Sequence, residues 1–296
     1  MQPFNYLTFS ILKMATEKKV AAKKNKFLKF LSILGPGLTT GAADDDPSGI
    51  ATYSQTGAQF GYGQLWTAFY MLPFMMGVQE ACARIGMVTG KGIAAIVKEH
   101  YNAKILYSVV SLVVIANVIN IGADIGAMAA AAKLIIPLPF AVWTLLFTAS
   151  ILILEIFTTY KVYARILKWL ALSLLAYPVT VFIVQMPWLT VLKATFIPHI
   201  EFSFAFFFII TGVLGTTISP YMFFWETSQE GEEVKEKKWI KNGLPSIRKS
   251  NIRSMRIDNN AGMVISEITT WSILVVAGTV LHNNGVTDIK TAADAA

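Results

Sequence analysis

The chain has 296 residues, of which 54% are hydrophobic and 15% charged, with a mean hydropathy of +0.54. Such a composition leaves too little polar surface for a water-soluble globule, and the apolar residues gather into runs of the roughly 20 residues that a helix needs to cross about 30 Å of hydrocarbon. The alternation of a membrane barrel is missing, and the net charge of +7, which would otherwise admit nucleic acid as a partner, is explained by membrane topology.

In chain order, residues 1–30 form a Lys-rich arm (Lys18, Lys19, Lys23, Lys24, Lys26, Lys29) without a cleavable signal sequence. Seven apolar spans follow, at about 31–60, 65–85, 105–132, 139–160, 166–187, 202–229 and 260–282, with a hydrophilic, mobile cytoplasmic loop expected at 230–256. Every Lys and Arg except Lys133, Lys193 and Lys290 falls in the arm or in the loops after spans two, four and six. That asymmetry predicts a multi-pass cell-membrane protein with its N-terminus in the cytoplasm, embedded in the lipid bilayer. Cys82, the only cysteine, lies in an apolar run and excludes a disulfide framework or a cysteine-cluster metal site.

Spans one and six are each interrupted. The first reads Gly35-Pro36-Gly37 through Asp44-Asp45-Asp46-Pro47-Ser48-Gly49, and the second Gly212 through Thr216-Thr217-Ile218-Ser219-Pro220-Tyr221. Broken helices five spans apart point to a transporter of two inverted repeats with its site at mid-membrane. The first repeat is then 31–187, and 188–296 begins the second. A proline within a helix displaces the carbonyl four residues back, so Pro47 is expected to free that of Ala43 and Pro220 that of Thr216. Backbone freed at this depth must face protein, water or a ligand. With the carboxylates of Asp44, Asp45 and Asp46 and the hydroxyls of Thr217 and Ser219 nearby, the ligand expected is a cation. Asp46, next to the proline, is the leading ligand; Asp45 is expected to face a vestibule, and Asp44 to line water or cap a half-helix. The plainer alternative is that these acids with Ser48 only cap the second half-helix.

Span three carries Asn117, Asn120 and Asp124 on one face. Such a stripe lines a polar path or a helix-helix contact; the asparagines are read as packing and hydrogen-bonding residues that join helices, and Asp124 as part of an ion path or a proton-responsive group. Glu80 and Arg84 have the spacing of an ion pair. Glu155, Glu226 and Glu267 are read as structural acids, Phe202–Phe208 as lipid-facing or core material. His100, His199 and His282 lie far apart at span ends.

The stretch from Gly35 to Gly90, with GPGLTTGAADDDPSGIATYSQTGAQFGYGQLW and QEACARIGMVTGKG, together with IGADIG around Asp124 and TTISPY in span six, closely resembles the Nramp family of divalent metal transporters. The resemblance implies an all-α polytopic membrane protein with a LeuT-type inverted-repeat fold, discontinuous spans one and six, and the C-terminal spans missing from this chain. It implies a transporter rather than an enzyme, with the metal as cargo, no cofactor and no obligate protein partner. The family's D-P-G-N motif falls on Asp46-Pro47-Ser48-Gly49 and its M-P-H motif on Ser219-Pro220-Tyr221, and its carbonyl ligands fall on Ala43 and Thr216. Gly49 replaces the family's asparagine, which is expected to widen the cavity, and Ser219 replaces its thioether, which favours a harder ion. Both departures resemble the Nramp-related magnesium transporters, so magnesium uptake by alternating access is the leading expectation. The alternative is a proton-coupled manganese or iron transporter, against which Tyr221 in place of histidine counts, while Asp124 stands at the proton-path position. A more distant alternative is an intramembrane aspartyl protease with Asp46 and Asp124 as its dyad.

Overall fold

The computed structural model describes residues 35–158, 162, 166, 167, 169–241 and 244–289. The Lys-rich arm, the basic stretch after span four and Lys290 lie outside these. Helices α1 (Pro36–Asp44) and α2 (Pro47–Phe60) form span one, α3 (Trp66–Thr89) span two, and the short α4 (Ile93–His100) leads into α5 (Ala103–Ile135) and α6 (Phe140–Phe157). A 3-10 turn (Ala171–Leu175), α7 (Ala176–Ile183) and α8 (Trp188–Phe196) precede α9 (Phe204–Thr217) and α10 (Pro220–Glu236), the two halves of span six. A two-residue hairpin, β1 (Ile240–Lys241) with β2 (Leu244–Pro245), leads to α11 (Lys249–Val280). Four helical stretches among the described residues are long and apolar enough to cross a membrane.

The prolines act differently from the expectation. Neither Pro47 nor Pro220 stands inside a helix; each opens a new one, where its fixed φ and missing N–H cost nothing. The residue before each proline is extended, Asp46 at φ −74°, ψ 170° and Ser219 at φ −85°, ψ 137°, as the ring demands. The two breaks are thus the same local structure repeated.

The hydrophilic stretch 230–256 is also not the loop expected. α10 runs on to Glu236 and α11 begins at Lys249, with only the hairpin and its flanks between them. Ion pairs at helical spacing, Lys235 with Glu232 and Lys237 with Glu233, support a polar helix end there.

α11 is the central element, packing on α1, α2 and α3, while α10 packs on α3 and α5 pairs with α6. Small residues allow the first contact. A Cβ on Gly262 would lie 2.0 Å from the carbonyl oxygen of Gly37, and one on Gly41 would lie 2.3 Å from that of Gly262, so α1 and α11 touch backbone to backbone. Tyr53, Leu65, Val213 and Leu274 fill the core above, and Met75, Met222 and Met263 the core below. α5 and α6 turn their leucines and isoleucines outward, as does the Phe202–Phe208 run apart from buried Phe206.

Candidate metal site

The site is built where the two breaks meet. Asp46 is the first-turn cap of α2: its Oδ1 accepts the Gly49 amide at 2.8 Å and the Ser48 hydroxyl at 2.7 Å. The capping role weighed as the plainer alternative is therefore real, and it uses one oxygen. The other, Oδ2, accepts Tyr221 OH from α10 at 2.9 Å and Asn120 Nδ2 from α5 at 2.9 Å. One carboxylate thus ties three spans together.

Asn120 also donates to Asp124 Oδ2 at 3.3 Å, so it hydrogen-bonds both across to span one and along its own helix. Its amide stands between Asp46 and Asp124. A protease dyad needs two carboxylates in direct reach to share a proton, and here the interposed amide rules that arrangement out. Asp124 Oδ1 is buried without a partner among the described residues. Asn117, on the same helix face, is half-buried and joins neither acid.

Of the two carbonyls expected to be free, only one is. The Ala43 carbonyl receives no hydrogen bond among the described residues, because Pro47 has no N–H to offer. The Thr216 carbonyl accepts the Ser219 hydroxyl at 2.9 Å, which corrects the expectation that proline leaves it open. Ser219, 3% exposed, is turned onto its own break. The breaks are joined a second time by Tyr53 OH and Thr217 Oγ1, 3.0 Å apart and fully buried.

Gly49 does not open a cavity. A Cβ there would stand 3.1 Å from the Asp44 carbonyl oxygen and 3.2 Å from Tyr53 Cε2, so the space of the missing side chain is taken by the ring one helical turn on. The widened site expected from Gly49 is thereby corrected.

Asp44 and Asp45 turn away from Asp46 toward α11. Asp44 is fully buried and accepts Ser266 Oγ at 2.7 Å; Asp45 is 5% exposed and accepts Thr270 Oγ1 at 3.2 Å. Asp45 therefore faces no vestibule. Each has one oxygen without a partner among the described residues, as do both oxygens of Glu267 nearby on α11. Arg84 and Arg256 both donate to Glu80, the former through Nε at 2.9 Å and the latter at 2.8 Å, so the expected pair also fastens α3 to α11. Glu226, read as a lone acid, accepts the Thr40 hydroxyl of α1.

Sequence reading missed Tyr53, Ser266 and Thr270. Tyr53 was within reach, since it lies four residues after Gly49 on one helix; the other two are partners across long sequence separation with no local signal. The arrangement gathers carboxylate, carbonyl, hydroxyl, phenol and amide oxygens around two helix breaks, a donor set that suits magnesium, calcium or manganese.

Comparison with known proteins agrees on the family. The profile described as natural resistance-associated macrophage protein-like, Nramp, matches residues 37–296. Two proteins named divalent metal cation transporter MntH, from Staphylococcus aureus strains Mu3 and RF122, are each 26% identical over 269 residues, covering 88% of this chain and 58% of theirs. The chain thus spans little more than half the length of these relatives. In fold it is similar to the Eremococcus coleocola manganese transporter, crystallised with an aromatic bis-isothiourea substituted compound: TM-score 0.66, 19% identity, with 86% of this chain and 53% of that one covered. With the profile matched over most of its length, this chain belongs to the Nramp family.

Proposed function

We propose that this chain is part of a secondary transporter that carries a divalent metal cation across the membrane by alternating access, without a catalytic step and with the metal as cargo rather than cofactor. The single observation that carries this reading is the meeting of two helix breaks of like backbone around Asp46, whose Oδ2 faces groups from α5 and α10. Intramembrane carboxylates at broken helices are costly unless they serve an ion. The relatives named as divalent metal cation transporters support the same class.

In this reading Asp46 supplies the charge and the Ala43 carbonyl an open oxygen. Thr216 and Ser219 release their present hydrogen bond to complete the shell and Tyr221 yields its place on Asp46 Oδ2, with Asp45 behind the break, Gly49 setting the close approach of Tyr53, and Asn120 and Asp124 continuing the path toward Asn117. The scaffold is a LeuT-type inverted repeat. The N-terminus is cytoplasmic: α4 packs against α10 and β2 against α3, which gathers the basic segments after spans two and six at one end.

For the ion, the manganese-type, proton-coupled reading gains and the magnesium reading loses. Gly49 gives no extra room for a hydrated ion, an all-oxygen set suits manganese as well as magnesium, and the solved relative in fold is a manganese transporter. Asn120 also links Asp124 directly to Asp46, a short route for a proton. The magnesium reading rests on Ser219, a hydroxyl where the family has a thioether. Uptake of manganese, magnesium and calcium into proteoliposomes, with internal pH recorded, tests both. Manganese uptake with acidification supports the leading form, and uptake of magnesium alone without acidification supports the other. Absence of uptake for all three ions contradicts the transport reading.

A further inference from the structure

α8 packs on the start of α3, where Phe69 and Phe196 meet edge to face with ring centroids 4.9 Å apart, while the hairpin packs on the other end of α3, at Gly90. Trp66 and Tyr70, on the first turns of α3, donate to the carbonyls of His199 at 3.1 Å and Phe196 at 3.2 Å, and Trp188 opens α8. Tryptophan and tyrosine gathered at one end of a bundle of spans mark the depth of the membrane–water interface, with rings in hydrocarbon and polar edges among headgroups. The nine residues of α8 rise only about 14 Å, too little to cross a bilayer. Val191 and Thr195 face the bundle, whereas Leu189, 85% exposed, Leu192 and Phe196 are open to the surroundings, and Lys193 stands exposed among them. Such a face belongs to a helix lying in the interface, its lysine reaching toward the headgroup phosphates.

Between α8, α3 and α11 lies a groove of about 270 Å3, lined by Phe69, Leu72, Leu192, Phe196, Ile268 and Trp271. Phe69, Leu192, Phe196 and Ile268 are about half exposed, so the groove opens outward to hydrocarbon rather than into the bundle. Its polar residues have nothing to offer water. Thr195 Oγ1 donates to the Val191 carbonyl at 2.8 Å and accepts Trp271 Nε1 at 2.9 Å, and both Glu267 carboxylate oxygens are buried out of reach. A water molecule needs several polar partners to settle, and an empty apolar groove forfeits dispersion contacts along its wall, so a hydrocarbon chain is the occupant that fits.

We propose that this groove is a phospholipid site: one acyl chain lies in it against Ile268 and Trp271, and the phosphate is drawn to Lys193, so that anionic lipid is preferred. Ile268 and Trp271 stand on the turns of α11 that carry Ser266 and Thr270, the partners of Asp44 and Asp45. The bound chain therefore braces against α3 the part of α11 that holds the first helix break. A consequence for uptake rests on the transport reading above; lipid binding does not.

The test uses the full chain reconstituted in phosphatidylcholine with added phosphatidylglycerol brominated on its acyl chains, since bromine quenches tryptophan only at near contact. The Trp271 signal is the difference between wild type and Trp271→Phe. Half-maximal quenching of Trp271 is expected at about fivefold less brominated phosphatidylglycerol than brominated phosphatidylcholine, the worth of one basic residue at a membrane surface. Lys193→Glu is expected to abolish that preference. Val264→Phe, which puts a ring into the groove, is expected to cut the quenching by either lipid severalfold. A Trp271 that neither brominated lipid quenches overturns the proposal and means that protein covers the groove. Equal quenching by the two lipids in wild type overturns it too, as does a preference that survives Lys193→Glu or quenching undiminished in Val264→Phe. Should Val264→Phe fail to fold, Ile268→Phe at an exposed position of the same groove is expected to act alike, and undiminished quenching there is equally fatal.

Discussion

Tyr221 and Asp46 sit on different spans, and the phenol donates to the carboxylate Oδ2 at 2.9 Å across the two helix breaks. The hydrogen bond closes the space between the breaks, and it occupies the oxygen that points away from the α2 cap. A cation that binds Asp46 through Oδ2 must displace this donor or share the oxygen with it.

Tyr221→Phe removes the competing donor while keeping the ring. We expect manganese to bind roughly two- to tenfold more tightly, the worth of one hydrogen bond of about 0.5–1.5 kcal/mol. Calorimetric titration of the purified variant reads this directly. Weaker binding would make the phenol a ligand in its own right.

Asp46 has two tasks that two substitutions separate. Asn is as good a helix cap as Asp, so Asp46→Asn should melt near wild type and lose divalent binding, while Asp46→Ala should lose binding and also about 0.5–2 kcal/mol of stability with the cap. Thermal unfolding in detergent beside metal titration distinguishes the two. Equal destabilisation by both variants would show that Oδ1 is not a cap that matters.

Gly49→Asn places a side chain against Tyr53 and the Asp44 carbonyl, where even a Cβ is tight. It should destabilise by about 1–3 kcal/mol, as overpacking does. Tyr53→Leu in the same chain should recover part of that loss, and a double-mutant cycle measures the coupling. Additive effects would mean that the ring does not fill the space.

Ser219→Met brings a thioether to the break and releases the Thr216 carbonyl from the Ser219 hydroxyl. Cadmium should then compete more strongly against manganese than it does in wild type, since a soft ligand favours the softer ion. Competition binding measures the ratio, and an unchanged ratio places selectivity elsewhere.

Spans three, four, six and seven and the two breaks at proline were legible in the sequence because run length and the position of proline are local signals. Asp46, Asn120 and Asp124 were legible as polar residues at membrane depth, but their mutual bonding was not, because α2 and α5 are brought together only by the fold. Proline chemistry misled at Thr216, since a hydroxyl three residues on satisfies the carbonyl that the ring would free. Gly49 misled through volume: the absence of a side chain was read as space, although Tyr53 on the next turn fills it. Asp258 was not singled out in the sequence, and its role as the cap of α1 depends on the close approach of Gly262 to Gly37, which no local pattern announces.

The central claim is that a divalent ion sits between the helix breaks on Asp46. Anomalous diffraction from crystals of the full chain soaked in manganese tests it most directly. The account predicts a peak within coordination distance of the Asp46 carboxylate and the Ala43 carbonyl, and none there in Asp46→Asn. A peak beside Asp44 and Asp45 on the α11 side, with nothing at Asp46, would contradict it.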